Sequence, residues 1–225
     1  MKQICIIVIT IFLFTESCTV TKPLTSNVKP GEITDLKLLE PYSYISKIKK
    51  GNRGQVDDSI SAVSKQLVYK VLESYEGQIP LKGKIILTGK EINESLEKEY
   101  ETLMLTVEKN KNVANITITP TLLRVLEANQ TRFGLIIVST GFTRVKGNYG
   151  KQVAKGFALG LVTLGMYYET PIKAYSTIYA IIVDSMEKNI AFYRKSFVQD
   201  MEPLDEAAVT RQFRKIFEGY FIQKK

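Results

Sequence analysis

Two runs rich in β-branched residues, "STIYAIIVDS" (176–185) and "NIAFYRKSFV" (189–198), lie one short polar turn apart. No other feature constrains the fold as tightly. Such residues pack well on a pleated surface, and a connection as short as "DSMEK" joins only strands that run antiparallel. A third run of the same kind, "RFGLIIVSTGFTRV" (132–145), precedes them. The C-terminal half must therefore hold a sheet, and a sheet needs helices or a second sheet to cover its apolar surface.

The helices can be read from their period. In "DDSISAVSKQLVYKVLESY" (57–75), Ile60, Val63, Leu67, Val68, Val71, Leu72 and Tyr75 share one face, with Asp57 or Asp58 as cap. Gly77 and Pro80 end it. A second helix runs from about Ile92 to Val107 with Leu96, Tyr100, Leu103 and Val107 inward. "ITPTLLRVLEANQ" starts a third, with Thr119 as cap and Pro120 in the first turn. The closing stretch "PLDEAAVTRQFRKIFEGYF" (203–221) carries Val209, Phe213, Ile216, Phe217 and Tyr220 on one stripe. "YSYISKI" (42–48) and "GKIILTG" (83–89) read as short strands, the second buried. The fold class is α+β: a mixed β-sheet of about four to five strands with helices packed on one face. It forms a single domain over residues 56–225.

The N-terminus reads as an address. Lys2 precedes an apolar stretch from Ile4 to Phe14, well short of the roughly twenty residues a membrane-spanning helix needs. Thr15-Glu16-Ser17-Cys18 follows and resembles a bacterial lipoprotein signal, in which a small residue precedes a cysteine that is lipidated. On that resemblance residues 1–17 are a signal peptide cut after Ser17. Cys18 carries the lipid, and residues 18–55 are a tether with one short strand. The other reading is an ordinary secretory signal that leaves Cys18 free. Cys5 would leave with the signal, so Cys18 would stay as a lone cysteine, and a lone thiol is a liability in an oxidising compartment. Acylation removes that liability. Thr19 is not the aspartate that retains enteric lipoproteins at the inner membrane, which implies the outer membrane. The absence of acidic residues in "TVTK" implies its periplasmic face.

Composition narrows the chemistry. The chain has no histidine and no tryptophan. Ser-His and Cys-His catalysis are thereby excluded, as are most zinc sites. No acids or lysines are paired in a recognisable catalytic pattern, so we expect no enzyme, no metal and no cofactor. The formal net charge is +8, with the lysines spread along the chain. A soluble basic surface accounts for that. An alternative is a binding protein for an anionic envelope ligand, such as lipopolysaccharide or a glycan.

One stretch fits none of these elements. "GFALGLVTLGMYYETP" (156–171) spaces three glycines through an apolar run. It lacks the Gly-Lys-Ser/Thr of a phosphate loop, and Lys155 and Glu169 bound it too closely for a span. Two readings remain. It is a glycine-rich hairpin or short helix buried against the sheet, or it is an apolar insertion that meets a membrane or a sister subunit. In the second case Gly156, Phe157, Leu159, Gly160, Leu161, Leu164, Gly165, Met166, Tyr167 and Tyr168 form the interface. The nearby tyrosines read as strand packing rather than base stacking, so no nucleic-acid partner is expected.

The region 57–221 resembles the periplasmic lipoproteins similar to CsgG and to the N-terminal domain of TolB. "RFGLIIVSTGFTRV" looks like a characteristic strand of that group. "STIYAIIVDSMEKNIAFYRK" looks like its hairpin, with Asp184, Asn189 and Tyr193 in the corresponding places. The resemblance implies a non-enzymatic part in envelope assembly or scaffolding, with a protein partner or homo-oligomer. Asp58-Ser59-Ile60 and Asp184-Ser185-Met186 also resemble the O-glycosylation acceptor of Bacteroidetes.

Overall fold

The computed structural model describes residues 18–87, 89–164, 166 and 171–224. Among them lie nine strands and five α-helices. In chain order these are β1 (Cys18–Val20), β2 (Leu24–Thr25), β3 (Leu36–Leu38), β4 (Tyr42–Lys50), β5 (Arg53–Val56), α1 (Asp58–Glu73), β6 (Leu81–Lys84), α2 (Lys90–Asn110), α3 (Pro120–Ala128), β7 (Phe133–Arg144), α4 (Asn148–Val162), β8 (Tyr175–Asp184), β9 (Asn189–Gln199) and α5 (Glu206–Phe217). All nine strands belong to one sheet, so the class is α+β with a mixed sheet, as expected, but the sheet is larger.

β7, β8 and β9 form its antiparallel centre. The turn between β8 and β9 is locked by Asp184, whose carboxylate is fully buried. The Arg132 guanidinium grips it with Nε at 2.9 and 3.1 Å and Nη2 at 2.7 Å. The backbone N–H groups of Met186 and Glu187 also donate to it. On the far side of β7, β3 and β4 follow one another in the same lane, both parallel to it. β6 and β5 extend that side.

The helices cover both faces, which corrects the expectation of one. Leu135 and Ile137 of β7 and Ile178, Ala180 and Ile182 of β8 point to one side. There Val68, Val71 and Leu72 of α1 meet Val209, Phe213, Ile216 and Phe217 of α5. Ile136, Val138, Ile181 and Val183 point to the other side, against Leu96, Tyr100, Leu103 and Val107 of α2 and Leu122 and Leu126 of α3. Burial of each such side chain contributes roughly 1.5–3 kcal/mol. The caps fall where the sequence puts them: Asp57 accepts from the Ile60 N–H and Thr119 from the Leu122 N–H.

Three expectations fail locally. The stretch expected as a tether supplies β1, β2 and β3, because the open edges of β9 and β7 would otherwise leave backbone groups unpaired. "GKIILTG" is not a buried strand: β6 is a mostly exposed edge, Ile85 alone among its described residues is buried, and Ile86 is 83% exposed. Val63 of α1 faces water.

Candidate functional site

Adjacent antiparallel strands need about two to five connecting residues. Between β7 and β8 the chain instead spends residues 145–174 and builds α4 within them. The surplus has no role in closing the sheet.

α4 presents two unlike faces. Asn148 and Gly156 are buried, and Gly160 and Thr163 are half-buried, so the glycine stripe turns toward the domain. Gly156 and Gly160 therefore lie off the outer face on which the sequence placed them. The large apolar residues point outward. Phe157 is 57% exposed, Leu161 64%, Val162 82%, Leu164 92% and Met166 82%; Leu159 is 44% exposed. The reading that this stretch is buried against the sheet is thus overturned for its large side chains. Gly165, Tyr167, Tyr168 and Ser17 lie outside the described residues. None of the described helices is long and apolar enough to cross a membrane.

One side chain roots the helix. Arg144, the last residue of β7, donates from Nη1 to the Asn148 Oδ1 (2.7 Å) and to the Gly51 carbonyl (3.0 Å). Its Nε donates to the Ile172 carbonyl (2.9 Å) and its Nη2 to the Asn52 Oδ1 (3.0 Å). It thereby joins the end of β7, the β4–β5 turn, the start of α4 and the return into β8. Gly147, with φ of 81°, supplies the left-handed turn that starts the helix, which has no side-chain cap of its own. Burial lowers the Arg144 guanidinium somewhat, and Tyr149 opposes that shift.

A cleft of ≈ 470 Å³ lies under α4. Ile48, Phe142, Leu159 and Tyr175 line it together with the cations Arg144 and Lys155, and among the described residues no carboxylate does. Phe142 and Tyr175 meet edge to face, with centroids 4.8 Å apart. Among the described residues no group of three or more Cys, Asp or Glu side chains could hold a metal ion.

The sheet register fixes where this end lies. Gly141, Ser176, Val198 and Cys18 form one row across β7, β8, β9 and β1. Three strand spacings separate its ends, roughly 14 Å. The root of α4 and the backbone of Cys18 therefore share one end of the sheet. β4 finishes there as well, with Ile48 beside Arg144, so its hairpin to β5 adds Lys49, Lys50 and Arg53. Lys146, Lys151 and Lys155 belong to the α4 segment, and all six cations are exposed. Sequence reasoning singled out the stretch 156–171 and Cys18 but not Arg144 or this basic cluster. The residues lie far apart in the chain, and only the parallel pairing of β4 with β7 brings them together.

No family model matches the chain, and no curated protein matches it. Among solved structures it is similar to the PelC dodecamer from Paraburkholderia phytofirmans, at 7% identity and a TM-score of 0.43. The match covers 92% of this chain and 100% of that one. A leucine-to-methionine form of the same dodecamer matches with the same values.

Proposed function

We propose that this chain is an exported envelope lipoprotein that acts by contact rather than catalysis, as an assembly or scaffold module. Acyl chains on Cys18 hold it to the outer membrane, facing the periplasm, and the α4 end is its working surface. The observation that carries this reading is the inversion of α4, which turns its glycines inward and its large apolar side chains out. An apolar helix kept exposed, inside a connection that does not need it, marks a place of contact. A lipidated Cys18 fits the same picture, since it would deliver that end to a membrane. Buried methylenes contribute about 0.8 kcal/mol each, so several acyl chains on one residue anchor stably.

The test is metabolic labelling with palmitate, in cells making the wild type, Cys18→Ala or Leu161→Glu. The wild type takes up label and fractionates with the outer membrane, and Cys18→Ala loses both. An unlabelled wild type sinks the anchoring. Leu161→Glu keeps the label but loses the neighbour to which the anchored protein can be crosslinked, whether a partner protein, a further copy or lipid. Identical crosslinking in wild type and Leu161→Glu removes α4 as the working surface.

A further inference from the structure

Several features compete for a second role. The Arg132–Asp184 pair is consumed in closing a turn, and the buried Ser176–Gln212 bonds serve the packing of α5. The exposed Ile86 and Ile92 form a patch with no charge pattern that defines an occupant. The α4 end differs, because its apolar, basic and positional features point to one occupant.

We propose that the α4 end lies on an anionic phospholipid surface, with the outer face of α4 seated in the headgroup region and the surrounding cations on the lipid phosphates. The proposal rests on the reading above only for the side on which Cys18 meets the membrane. Three observations carry it. Phe157, Leu161, Val162 and Leu164 are exposed on the far half of α4 and its immediate continuation. Lys151 and Lys155 lie on its near half and Lys146 just before it, while Lys49, Lys50 and Arg53 reach the same end from the β4–β5 hairpin. Among the described residues none of these six forms an ion pair with an acid. The described acids nearest that end are Asp57, whose N–H donates to the Ile45 carbonyl beside Gly141 and whose carboxylate lies 4.0 Å from the Lys47 ammonium, Asp58 next to it, Asp200, which accepts from the Lys173 N–H at 2.9 Å, and Glu202. Third, Cys18 stands in the row of residues that leads to the root of α4.

The chemistry matches an interfacial helix, which buries an apolar face about 5–10 Å deep and holds basic residues at the phosphates. A second copy of this chain, or a basic partner, would bring like charges together around the apolar face. An anionic lipid surface neutralises all six cations at once. The geometry also gives the lipid a second role. One anchored residue alone leaves a domain free to swivel, whereas a second point of contact on α4 fixes its orientation.

The test uses the mature chain from residue 18 with Cys18→Ala, so that no acyl chain contributes. Residues 18–224 contain every described strand and both cores, and β1 pairs through its backbone, so this form folds. The chain has no tryptophan, so Leu161→Trp gives a single reporter. With mixed phosphatidylethanolamine–phosphatidylglycerol vesicles, its emission should shift to the blue and be quenched by brominated acyl chains. Phosphatidylcholine vesicles should give neither change. Lys151→Gln with Lys155→Gln should weaken binding about tenfold or more. Raising salt, which shortens the screening length from about 30 to about 8 Å, should weaken it likewise. Leu161→Glu should abolish binding without moving the thermal midpoint. Absence of the blue shift, or equal binding to both vesicle types, overturns the proposal. Self-association that Leu161→Glu relieves, with no vesicle binding, also overturns it and assigns α4 to a second copy. A failure of palmitate labelling leaves these measurements unaffected, so the two readings fail separately.

Discussion

Replacing Arg144 by methionine should loosen α4 while leaving the sheet intact. The guanidinium makes four hydrogen bonds of 2.7 to 3.0 Å to three separate segments. A hydrogen bond from a charged donor contributes about 1.5–3 kcal/mol when buried, and this site is partly open, so each is discounted to about 0.5–1 kcal/mol. The four together come to about 2–4 kcal/mol. Methionine keeps an unbranched stem of similar length and removes the guanidinium, whose Cζ also lies 5.4 Å from the Phe142 ring centroid. α4 has little else to hold it, since only Asn148 and Gly156 are buried. The loss therefore falls on local opening. At about 1.4 kcal/mol per factor of ten, amide exchange across 148–162 should quicken roughly 30- to 700-fold. Amides of β7 and β8, whose opening follows global unfolding, should change by less than about tenfold. Hydrogen exchange read by mass spectrometry resolves these segments. Arg144→Lys, with a single donor head, should fall between. Unchanged exchange in α4 would refute the clamp, and equal acceleration in α4 and β8 would show that Arg144 supports the whole domain instead.

Three further perturbations probe what holds this end and the core. Arg132→Ala leaves the fully buried Asp184 carboxylate with only two backbone donors, and should cost about 2–4 kcal/mol in urea unfolding, with Arg132→Lys recovering less than half. Gly141→Ala would place a Cβ 2.4 Å from the Tyr175 carbonyl oxygen and 3.2 Å from the Pro203 side chain, which backbone must move to relieve. Its thermal midpoint should drop by roughly 5–10 °C, and an unchanged midpoint would show that β7 and β8 separate freely at this end. Burial above all holds the phenols of Tyr42, Tyr44, Tyr100 and Tyr193 well above the ordinary range, and pushes Tyr220 up to about 12. Each folded pKa is raised, so the neutral phenols stabilise the fold fully below about pH 10, and that contribution is lost as pH rises through the folded values. Unfolding free energy should therefore fall steeply above about pH 10, and tyrosinate absorbance should rise together with unfolding rather than before it.

The sequence reveals those elements whose stability is local. α1, α2, α3 and α5 lie where period and caps put them, and Leu96, Tyr100, Leu103 and Val107 are all buried as read. The hairpin of β8 and β9 follows equally from its two β-branched runs. The second helical layer was also legible, though less directly. Strands wet on one face alternate, whereas "LIIV" in β7 and "AIIV" in β8 are continuous, so both of their faces must be covered. β1, β2 and β3 left no such trace. They are two or three residues long, and only the open edges of β9 and β7 make them strands.

α4 shows where pattern reading fails for a physical reason. Period locates an apolar face, and the inference that this face is buried assumes that water lies on the other side. Here the small residues face the protein and the large ones face outward, so the ordinary rule points the wrong way. Gly156 is buried and Gly160 half-buried, although few side chains of the helix are. Phe157, Leu161 and Leu164 then stay exposed at a cost that a soluble domain would not retain without a compensating contact. The sequence shows the glycine spacing, but the inversion and its meaning need three-dimensional neighbours. β4 brings Lys49, Lys50 and Arg53 to that end, and β1 brings Cys18. Neither these three cations nor the cysteine adjoins α4 in the chain. Only the sheet register brings an odd glycine-rich stretch, the basic cluster and Cys18 to one end of the sheet.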